Sequence, residues 1–531
     1  MPKPAKAGNR QAKGRPTKGS ARAGGRAARR EARLRPGDDA PNAAPPGQVG
    51  GQYRPLTDAG CAKIHDAALT LLDTIGMGEV PPIVFELAKA RGCHRDRHGR
   101  LTFPRAFVED VIDGAAKSFV LHGQIPARDF EIKSKQVRYG TGGAAVQTLD
   151  LDKGRYRSST LNDLYDFARL VDRLDNIVWF TRCCVATDVE DILDFDINTA
   201  YAIAAGTTKH VGTSFTLGEH VAPTVEMFDA MLGGDGAFAK RPFCKVHISP
   251  VVSPMRYGED AVSVTEAAVR HNMPVNSIIA AQSGATAPAP LAGMLAQTVA
   301  ETLAGLIMVN LFKPGHPTIF SNWPFVIDLR TGAFSGGGGE IAVLNAAAAQ
   351  MGNYYDLPSG VAASMADSKL ADAQAGFEKG ITALATGLAG ANMVYESAGM
   401  MGALLGASFE SFVIDNEMLS SVQRVIRGIE VDDDMLGLDA IEAAIRGPGH
   451  FLGSEQTLAA MQRDYVYPKL SDRESPTTWQ EQGARDMRER ARDTAREILA
   501  EHFPNHLSGA VDEKIRSRFN ILLPRQRMRR N

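Results

Sequence analysis

Residues 321 to 340 form the segment in which the residue types point most directly to ligand chemistry. Its sequence, SNWPFVIDLRTGAFSGGGGE, places Trp323, Phe325 and Phe334 near Asp328 and Arg330. Aromatic faces attract a quaternary ammonium by cation-π interaction, and a guanidinium can hold a carboxylate. The segment therefore predicts an amine site, in which Asp328 orients Arg330 or balances the cation. A proline-kinked loop packed by its own aromatic rings explains the same residues without a ligand.

Four glycines, Gly336, Gly337, Gly338 and Gly339, precede Glu340 at the start of a predicted helix. Flexible backbone at this position favours close approach by a large ligand or by a partner's cofactor. No GK[ST] triplet follows, so the run is not a Walker phosphate loop. A mobile hinge explains the bare glycines equally well.

Further candidates stand where predicted strands and helices end. His247 and Gln282 close two apolar runs, and Tyr354 and Tyr355 end the helix that follows the glycine run. We expect them to join the aromatic residues of the 321 to 340 segment around an amine, although His247 is also explained as a hydrogen-bonded core histidine. The other polar or aromatic residues that close predicted strands are Arg182, His210, Thr213, Ser214, Ser249, Ser283, Ser321, Asn322, Ser364, Asp367, Tyr395 and Glu396.

Short apolar runs alternate with helical stretches at intervals of roughly forty residues, a spacing typical of βα units. The predicted strands are residues 144 to 149, 177 to 183, 209 to 215, 243 to 249, 275 to 280, 318 to 322, 360 to 364 and 393 to 398. This pattern predicts the α/β class and a TIM (β/α)8 barrel, whose active site lies at the C-terminal ends of its strands. A doubly wound sheet fits less well, because no GxGxxG turn opens a helix.

Composition divides the chain into four predicted regions. They are a disordered basic tail over residues 1 to 50, a helical and β-ribbon extension over 51 to 135, the barrel over 136 to 470, and a helical extension over 471 to 531. Residues 1 to 40 hold twelve of the 59 Lys and Arg residues but only three of the 61 Asp and Glu residues. The remaining chain is acidic and offers no matching basic face for nucleic acid.

Several classes of protein are disfavoured by the sequence. The five cysteines are scattered without a CxxC pair, so we expect neither a disulfide framework nor a metal site. The apolar stretch from 291 to 312 contains Gln297 and Glu301, which suits a buried helix better than a membrane span. We expect a cytoplasmic homo-oligomer without membrane partners. No catalytic side chain is assigned, because no Ser-His-Asp order or HExxH motif occurs.

Two segments resemble blocks of the trimethylamine methyltransferase family. They are GEIAVLNAAAAQMGNYYDLPS, residues 339 to 359, and GPGHFLGSEQTLAAMQRDYVYPKLSDR, residues 447 to 473. The general layout is similar from about residue 53 to 480, with the tail outside the resemblance. The name-giving members use pyrrolysine, whereas this chain contains only the twenty standard residue types. It therefore resembles the members without pyrrolysine, such as the glycine betaine:corrinoid methyltransferases.

The resemblance implies a methyltransferase that moves a methyl group from a quaternary amine, glycine betaine or similar, to cob(I)alamin. The cob(I)alamin is carried by a separate corrinoid protein that docks over the barrel mouth near Gly336 to Gly339, and no cofactor is held tightly by this chain. A barrel methyltransferase with a folate methyl carrier and a non-catalytic betaine-binding protein of the same fold remain as alternatives. Cobalamin-dependent turnover, compared with a tetrahydrofolate acceptor, separates the two enzymes.

Overall fold

The computed structural model describes residues 42 to 529, and its centre is a closed barrel of parallel strands. The strands are β1 Gln136–Tyr139, β2 Trp179–Thr181, β3 His210–Thr213, β4 Cys244–Ile248, β5 Val275–Ile279, β6 Thr318–Asn322, β7 Ser359–Ala362 and β8 Met393–Tyr395. Neighbours in the chain pair in parallel from β2 to β8, and β8 pairs with β1. The ring closes because Val178 N donates to Tyr139 O at 2.8 Å.

A helix follows each strand and covers the outside of the barrel. The helices are α1 Leu161–Asp172, α2 Ile192–Gly206, α3 Val221–Met231, α4 Glu259–Arg270, α5 Leu291–Phe312, α6 Gly339–Tyr354, α7 Ala373–Ala389 and α8 Phe409–Arg427. Thr160, Asp191, Asp372 and Ser408 cap four of them by accepting from free backbone N–H groups. Within residues 42 to 529, α5 alone is long and apolar enough to cross a membrane, and most of its side chains are buried against the barrel. The TIM-barrel prediction is therefore confirmed.

The predicted first barrel strand, residues 144 to 149, was wrong. Gln147–Leu149 belongs to a four-stranded sheet beyond the barrel, where it pairs with Tyr156–Ser158 and Gly406–Ser408. The first barrel strand is β1, which is not among the eight predicted strands. Both segments alternate apolar and polar residues, so the difference lies in their partners: β1 pairs with β8, more than 250 residues away. Local periodicity carries no information about such distant pairing.

The N-terminal extension is helical with a short ribbon. Its helices are Asp58–Thr70, Leu71–Ile75, Pro82–Lys89 and Arg105–Gly114, its hairpin is His94–Arg95 with Leu101–Thr102, and its ribbon is Phe119–Leu121 with Phe130–Ile132. Most of the predicted basic tail lies outside the described residues. Its last residues are ordered, because Gln48–Val49 pairs antiparallel with β1. The structured chain therefore begins before residue 50.

A truncation series can test this boundary. We expect a chain starting at residue 42 to keep the melting temperature of the full chain. A chain starting at residue 51 loses the bonds from Gly47 N to Val137 O (2.9 Å) and from Gly50 N to Lys135 O (3.0 Å). At roughly 1 kcal/mol for each lost hydrogen bond, it should be less stable by about 1 to 3 kcal/mol. Thermal melts of both chains measure this, and equal melting temperatures would contradict the β1 pairing.

Beyond α8, Leu436–Tyr465 belongs to a different compact unit from the barrel, and its helices are Leu438–Arg446 and Glu455–Arg463. The later helices are Pro476–Glu481, Met487–Glu501 and Gly509–Arg516. Arg492 Nε lies 3.0 Å from Glu410 Oε1 of α8, and His502 Nε2 lies 2.8 Å from Asp172 Oδ2 of α1. These helices brace the outer surface of the barrel.

Candidate functional site

The parallel register determines which side chains point into the barrel. Lys245 and His247 lie two residues apart on β4, so they share the inward face. Lys245 Nζ lies 5.6 Å from the ring centroid of Trp179 on β2 and 5.5 Å from that of Tyr395 on β8. Strands β2, β4 and β8 thus aim cationic and aromatic groups at the barrel axis. This interior leads to the C-terminal ends of the strands, called the barrel mouth below.

Aromatic rings run without interruption from the barrel axis to its mouth. His247, Trp323 and Tyr395 have pairwise centroid distances of 5.5, 5.5 and 5.3 Å. Phe325 lies 6.4 Å from Trp323, and Phe334 lies 5.0 Å from Phe325. We call these five residues the aromatic wall. Because the rings touch one another, an ammonium must lie against the wall and cannot sit between its members.

Five predicted binding residues converge in this structure. Trp323, Phe325, Phe334 and His247 belong to the aromatic wall. Gln282 joins them, since Gln282–Ser283, Phe325–Ile327 and Phe334–Ser335 form a three-stranded sheet beyond β5 and β6. The convergence follows from the barrel, whose neighbouring strands end at the same mouth.

Tyr354 and Tyr355 lie elsewhere. They end α6, which runs away from the mouth and leads into the start of β7. Tyr355 OH is 3.1 Å from His65 Nδ1, and its ring packs on Phe320, on the outer face of β6. Both tyrosines therefore lie at the opposite end of the barrel from Trp323.

Arg330 and Asp328 form an exposed pair. Arg330 Nη2 lies 2.9 Å from Asp328 Oδ2, and the arginine side chain is 87% exposed. Hydrogen bonds from Arg330 lower the pKa of Asp328 to about 2. Each group thus neutralises the other at the protein surface, and the structure does not bring either of them to the aromatic wall.

The glycine run divides into a packed half and an open half. A Cβ at Gly336 would lie 2.6 Å from Met365 Cγ, and one at Gly337 would lie 2.6 Å from Glu378 Cδ. A Cβ at Gly339 would meet no atom within 4 Å. Packing therefore requires the first two glycines, whereas the end of the run leaves open space beside the mouth.

We expect Gly337→Val to lower the melting temperature sharply. The new side chain would displace Glu378, whose Oε2 accepts from Asp367 N at 2.8 Å. Gly339→Val should leave the melting temperature unchanged, because its site is open.

If a corrinoid protein docks here, Gly339→Val should reduce turnover with that protein more than it reduces amine binding. Thermal melts and turnover assays on both variants test this, and equal losses of binding and turnover would make the position purely structural.

His247 is held as a neutral imidazole. Asn276 Nδ2 lies 2.9 Å from His247 Nδ1, and the Asn276 Oδ1 accepts from Ser321 Oγ, so the amide is oriented to donate to the ring. Burial, together with the charges of Lys245 and Arg182, lowers the pKa of His247 well below its usual value. The ring adds an uncharged face to the wall.

Lys245 is a fully buried amine inside the barrel. Its Nζ lies 3.2 Å from Thr181 Oγ1, and a Cβ at Gly212 would lie 3.1 Å from it. Burial lowers the pKa of Lys245 to about 7. The sequence did not single out Lys245. The alternation of apolar and polar residues does not show whether a polar residue in a barrel strand points into the barrel or lies at the strand's end.

Arg182 follows β2 and reaches over the barrel mouth. Its Nε donates to Ser214 Oγ at 3.3 Å, and Ser214 Oγ donates to the backbone oxygen of His247 at 2.7 Å. Arg182 forms no ion pair with the part of the chain that the structure describes. Asp196, whose charge acts on Arg182, already accepts hydrogen bonds from Thr216 and His220. A guanidinium is therefore available to an anion beside the aromatic wall.

Several buried polar atoms near the mouth lack a partner within residues 42 to 529. They are the indole nitrogen of Trp323, both amide atoms of Asn322 and Oε2 of Glu396. Buried polar atoms are nearly always hydrogen-bonded, so a cluster of exceptions points to a ligand. Glu396 is 1% exposed, and burial raises its pKa to about 8. In the sequence, Arg182 and Glu396 stand out only as residues that close predicted strands.

A family model described as trimethylamine methyltransferase (MTTB) matches residues 22 to 520. The chain belongs to the trimethylamine methyltransferase family. The match begins inside the segment that we expected to lie outside the resemblance, and it extends beyond residue 480. Family membership thus covers the barrel and both extensions. The family consists of methyltransferases, so the chain is assigned to that class of enzyme.

Relatives in the family include two proteins of Desulfitobacterium hafniense. A trimethylamine methyltransferase is 30% identical over 86% of this chain and 91% of its own length. A glycine betaine methyltransferase is 29% identical over 89% of this chain and 97% of its own length. Among solved structures, the monomethylamine methyltransferase of Methanosarcina barkeri aligns with a TM-score of 0.47 and 15% identity, over 85% of this chain and 94% of that one.

Proposed function

We propose that this protein transfers a methyl group from a zwitterionic quaternary amine, glycine betaine or a close analogue, to the cob(I)alamin of a separate corrinoid protein. The observation that carries the proposal is that the aromatic wall and Arg182 lie at the same barrel mouth. Arg182 has no ion-pair partner in residues 42 to 529. The wall suits the methylated nitrogen, and the guanidinium suits a carboxylate. One relative is named a glycine betaine methyltransferase, which supports the same substrate class.

The positive charges at the mouth and deeper in the barrel favour a zwitterion over a simple cation. Arg182 is positive, and Lys245 with a pKa of about 7 is positive part of the time. These groups repel a ligand that carries only an ammonium. A carboxylate on the same ligand offsets that repulsion by pairing with Arg182. Arg330 has no part in this proposal, because Asp328 already pairs with it at the surface.

The chemistry requires little acid-base assistance from the chain. The nitrogen departs as a neutral tertiary amine when one methyl group is lost, so the leaving group needs no proton. When bound, cob(I)alamin supplies a nucleophile strong enough to take the methyl carbon. The side chains at the mouth supply orientation and the exclusion of water from the cation. The neutral amine no longer gains cation-π attraction from the wall, which favours its release.

The open end of the glycine run fits the approach of a bulky partner. A Cβ at Gly339 would meet no atom within 4 Å, and the residue is exposed. Gly338 is half-buried, with only the Glu340 side chain near its Cβ position. We propose that this surface takes the corrinoid protein, and that the cofactor stays with that partner.

Two measurements test the proposed function. Calorimetry with glycine betaine, choline and trimethylamine should show the tightest binding to glycine betaine. Turnover with a reduced corrinoid protein should convert glycine betaine to dimethylglycine, while tetrahydrofolate should not replace the corrinoid as acceptor. Tightest binding to trimethylamine, or methyl transfer to tetrahydrofolate, would refute the proposal.

A further inference from the structure

We propose that Glu396 is the counter-ion of the substrate ammonium, and that its carboxylate faces the methylated nitrogen when the barrel mouth is occupied. This inference rests on the proposed function, since it requires a quaternary cation at the aromatic wall. Glu396 would then bind the substrate directly, and its carboxyl group would release a proton when the ammonium binds.

Glu396 has the burial and the isolation that a counter-ion site requires. The residue is 1% exposed, and Oε2 is enclosed without a partner. No hydrogen bond from residues 42 to 529 reaches either carboxyl oxygen. A buried acid without donors is costly to maintain and is rarely kept for packing alone. A ligand that brings a positive charge removes that cost.

Glycines after β1 locate the carboxyl group relative to the aromatic rings. A Cβ at Gly140 would lie 2.1 Å from the ring of Trp179. Two residues further along, a Cβ at Gly142 would lie 2.9 Å from Glu396 Oε1, and one at Gly143 would lie 2.8 Å from Oε2. The segment runs toward the mouth, so the carboxyl group lies one layer above Trp179. Glycine is required here because any side chain would occupy the place of the carboxyl.

The backbone of Glu396 is also unusual. Its φ is 61°, a left-handed value that residues other than glycine rarely adopt. The preceding residue, Tyr395, points into the barrel and touches Trp323 and His247. The left-handed turn directly after Tyr395 breaks the strand's alternation and redirects the next side chain. Such strain occurs preferentially at binding and catalytic sites.

No fixed cation neutralises Glu396. The charge of Lys379 on α7 lowers the pKa of Glu396, but Lys379 Nζ forms its ion pair with Asp415 of α8, at 2.8 Å. Cys183, two residues after β2, stays a thiol, because burial and the neighbouring Cys184 raise the pKa of Cys183 well above its usual value. Lys245 lies deeper in the barrel. The carboxyl group is therefore the least compensated acid at the mouth.

Cation binding should release a proton from this carboxyl group. With a pKa of about 8, Glu396 is mostly protonated at pH 7 in the free protein. A bound ammonium favours the ionised form, so the pKa falls in the complex. Affinity should then rise by up to about tenfold per pH unit between the bound and free pKa values, and level off above pH 8.

The test compares proton release in the wild type, Glu396→Gln and two controls. Calorimetry at pH 7 in two buffers of different ionisation enthalpy measures the protons released as tetramethylammonium or glycine betaine binds. We expect Glu396 to contribute close to one proton to the release by the wild type, and we expect Glu396→Gln to lose that contribution. The affinity ratio between the two proteins should grow from pH 6.5 to pH 8.5, whereas a structural role would leave it constant.

The controls separate Glu396 from its neighbours. Lys245 also titrates near pH 7 and can lose a proton to a nearby cation, so Lys245→Met removes the lysine's share and should keep the share of Glu396. Glu340→Gln, at an exposed carboxylate beyond the glycine run, should behave as wild type. Glu396→Gln should fold. Between pH 4.5 and 8, Glu396 is protonated in the folded protein and ionised in the unfolded chain, so the stability of the wild type falls as the pH rises through that range. Glutamine carries no charge in either state, so Glu396→Gln should melt at a higher temperature than the wild type at pH 8.

The outcomes distinguish this inference from the proposed function. Ammonium binding without proton release, or full release in Glu396→Gln, overturns the role of Glu396. If glycine betaine is still demethylated in that case, the proposed function stands alone. If neither tetramethylammonium nor glycine betaine binds, both proposals fail.

Discussion

Replacement of Arg182 by methionine is expected to weaken glycine betaine binding by about 10- to 100-fold. The substrate carboxylate loses a charge-assisted hydrogen bond, which is typically worth about 1.5 to 3 kcal/mol. Tetramethylammonium has no carboxylate and is repelled by the guanidinium, so it should bind Arg182→Met as well as or better than the wild type. Calorimetry with both ligands gives the two affinities, and their opposite responses form the signature of a carboxylate anchor.

Arg330→Met is the matched control for this prediction. Its guanidinium is 87% exposed and paired with Asp328, so its loss should leave both affinities unchanged. Melting temperatures of the two variants show whether an affinity change reflects misfolding. A loss of glycine betaine affinity in Arg330→Met but not in Arg182→Met would return the carboxylate site to the 321 to 340 loop and refute the role of Arg182.

The barrel could be predicted because its signal is repeated. Eight βα units of similar length leave a periodic pattern, and an error in one unit does not change the fold. That error occurred at β1, where the segment Gln136–Tyr139 and the segment Gln147–Leu149 have similar local patterns. Only pairing with β8 distinguishes them, and this contact joins distant parts of the chain.

The candidate site could be predicted only in part. Trp323, Phe325 and Phe334 come together because they lie on one segment that leaves β6 at the mouth. Arg330 lies on the same segment, yet it pairs locally with Asp328, since a two-residue separation satisfies both charges at the surface. The position of Arg330 near the aromatic residues in the sequence therefore suggested that it binds the substrate. In the structure its ion pair with Asp328 takes the place of that contact.

Inward-facing residues of the barrel were harder to recognise than residues of the loops. Lys245 is hidden within an apolar run, and its place depends on Gly212 of the neighbouring strand, where a larger residue would meet the amine. Glu396 was visible as a residue that closes a strand. Its isolation depends on Gly142 and Gly143, which are far from it in sequence. The burial of Lys245 and of Glu396 therefore depends on residues of other strands, which a single segment of sequence does not show.

Trp323→Leu is expected to weaken the binding of glycine betaine and tetramethylammonium by about 5- to 30-fold each. Leucine keeps apolar contact but removes the aromatic face, whose attraction for a desolvated ammonium is worth about 1 to 2 kcal/mol. Trp323→Phe keeps an aromatic face and should lose less affinity. Trp323→Ala is a poorer probe, because a cavity at a nearly buried tryptophan costs about 3 to 5 kcal/mol of stability.

Both ligands should respond equally to Trp323→Leu, in contrast to Arg182→Met, because the aromatic face acts on the ammonium that they share. Trp479→Leu provides a control on the C-terminal extension, away from the barrel strands, and should change neither affinity. Calorimetry on Trp323→Leu, Trp323→Phe and Trp479→Leu, with melting temperatures, separates lost attraction from lost packing. Equal affinities in Trp323→Leu and the wild type would show that the aromatic wall packs against itself and takes no part in binding the cation.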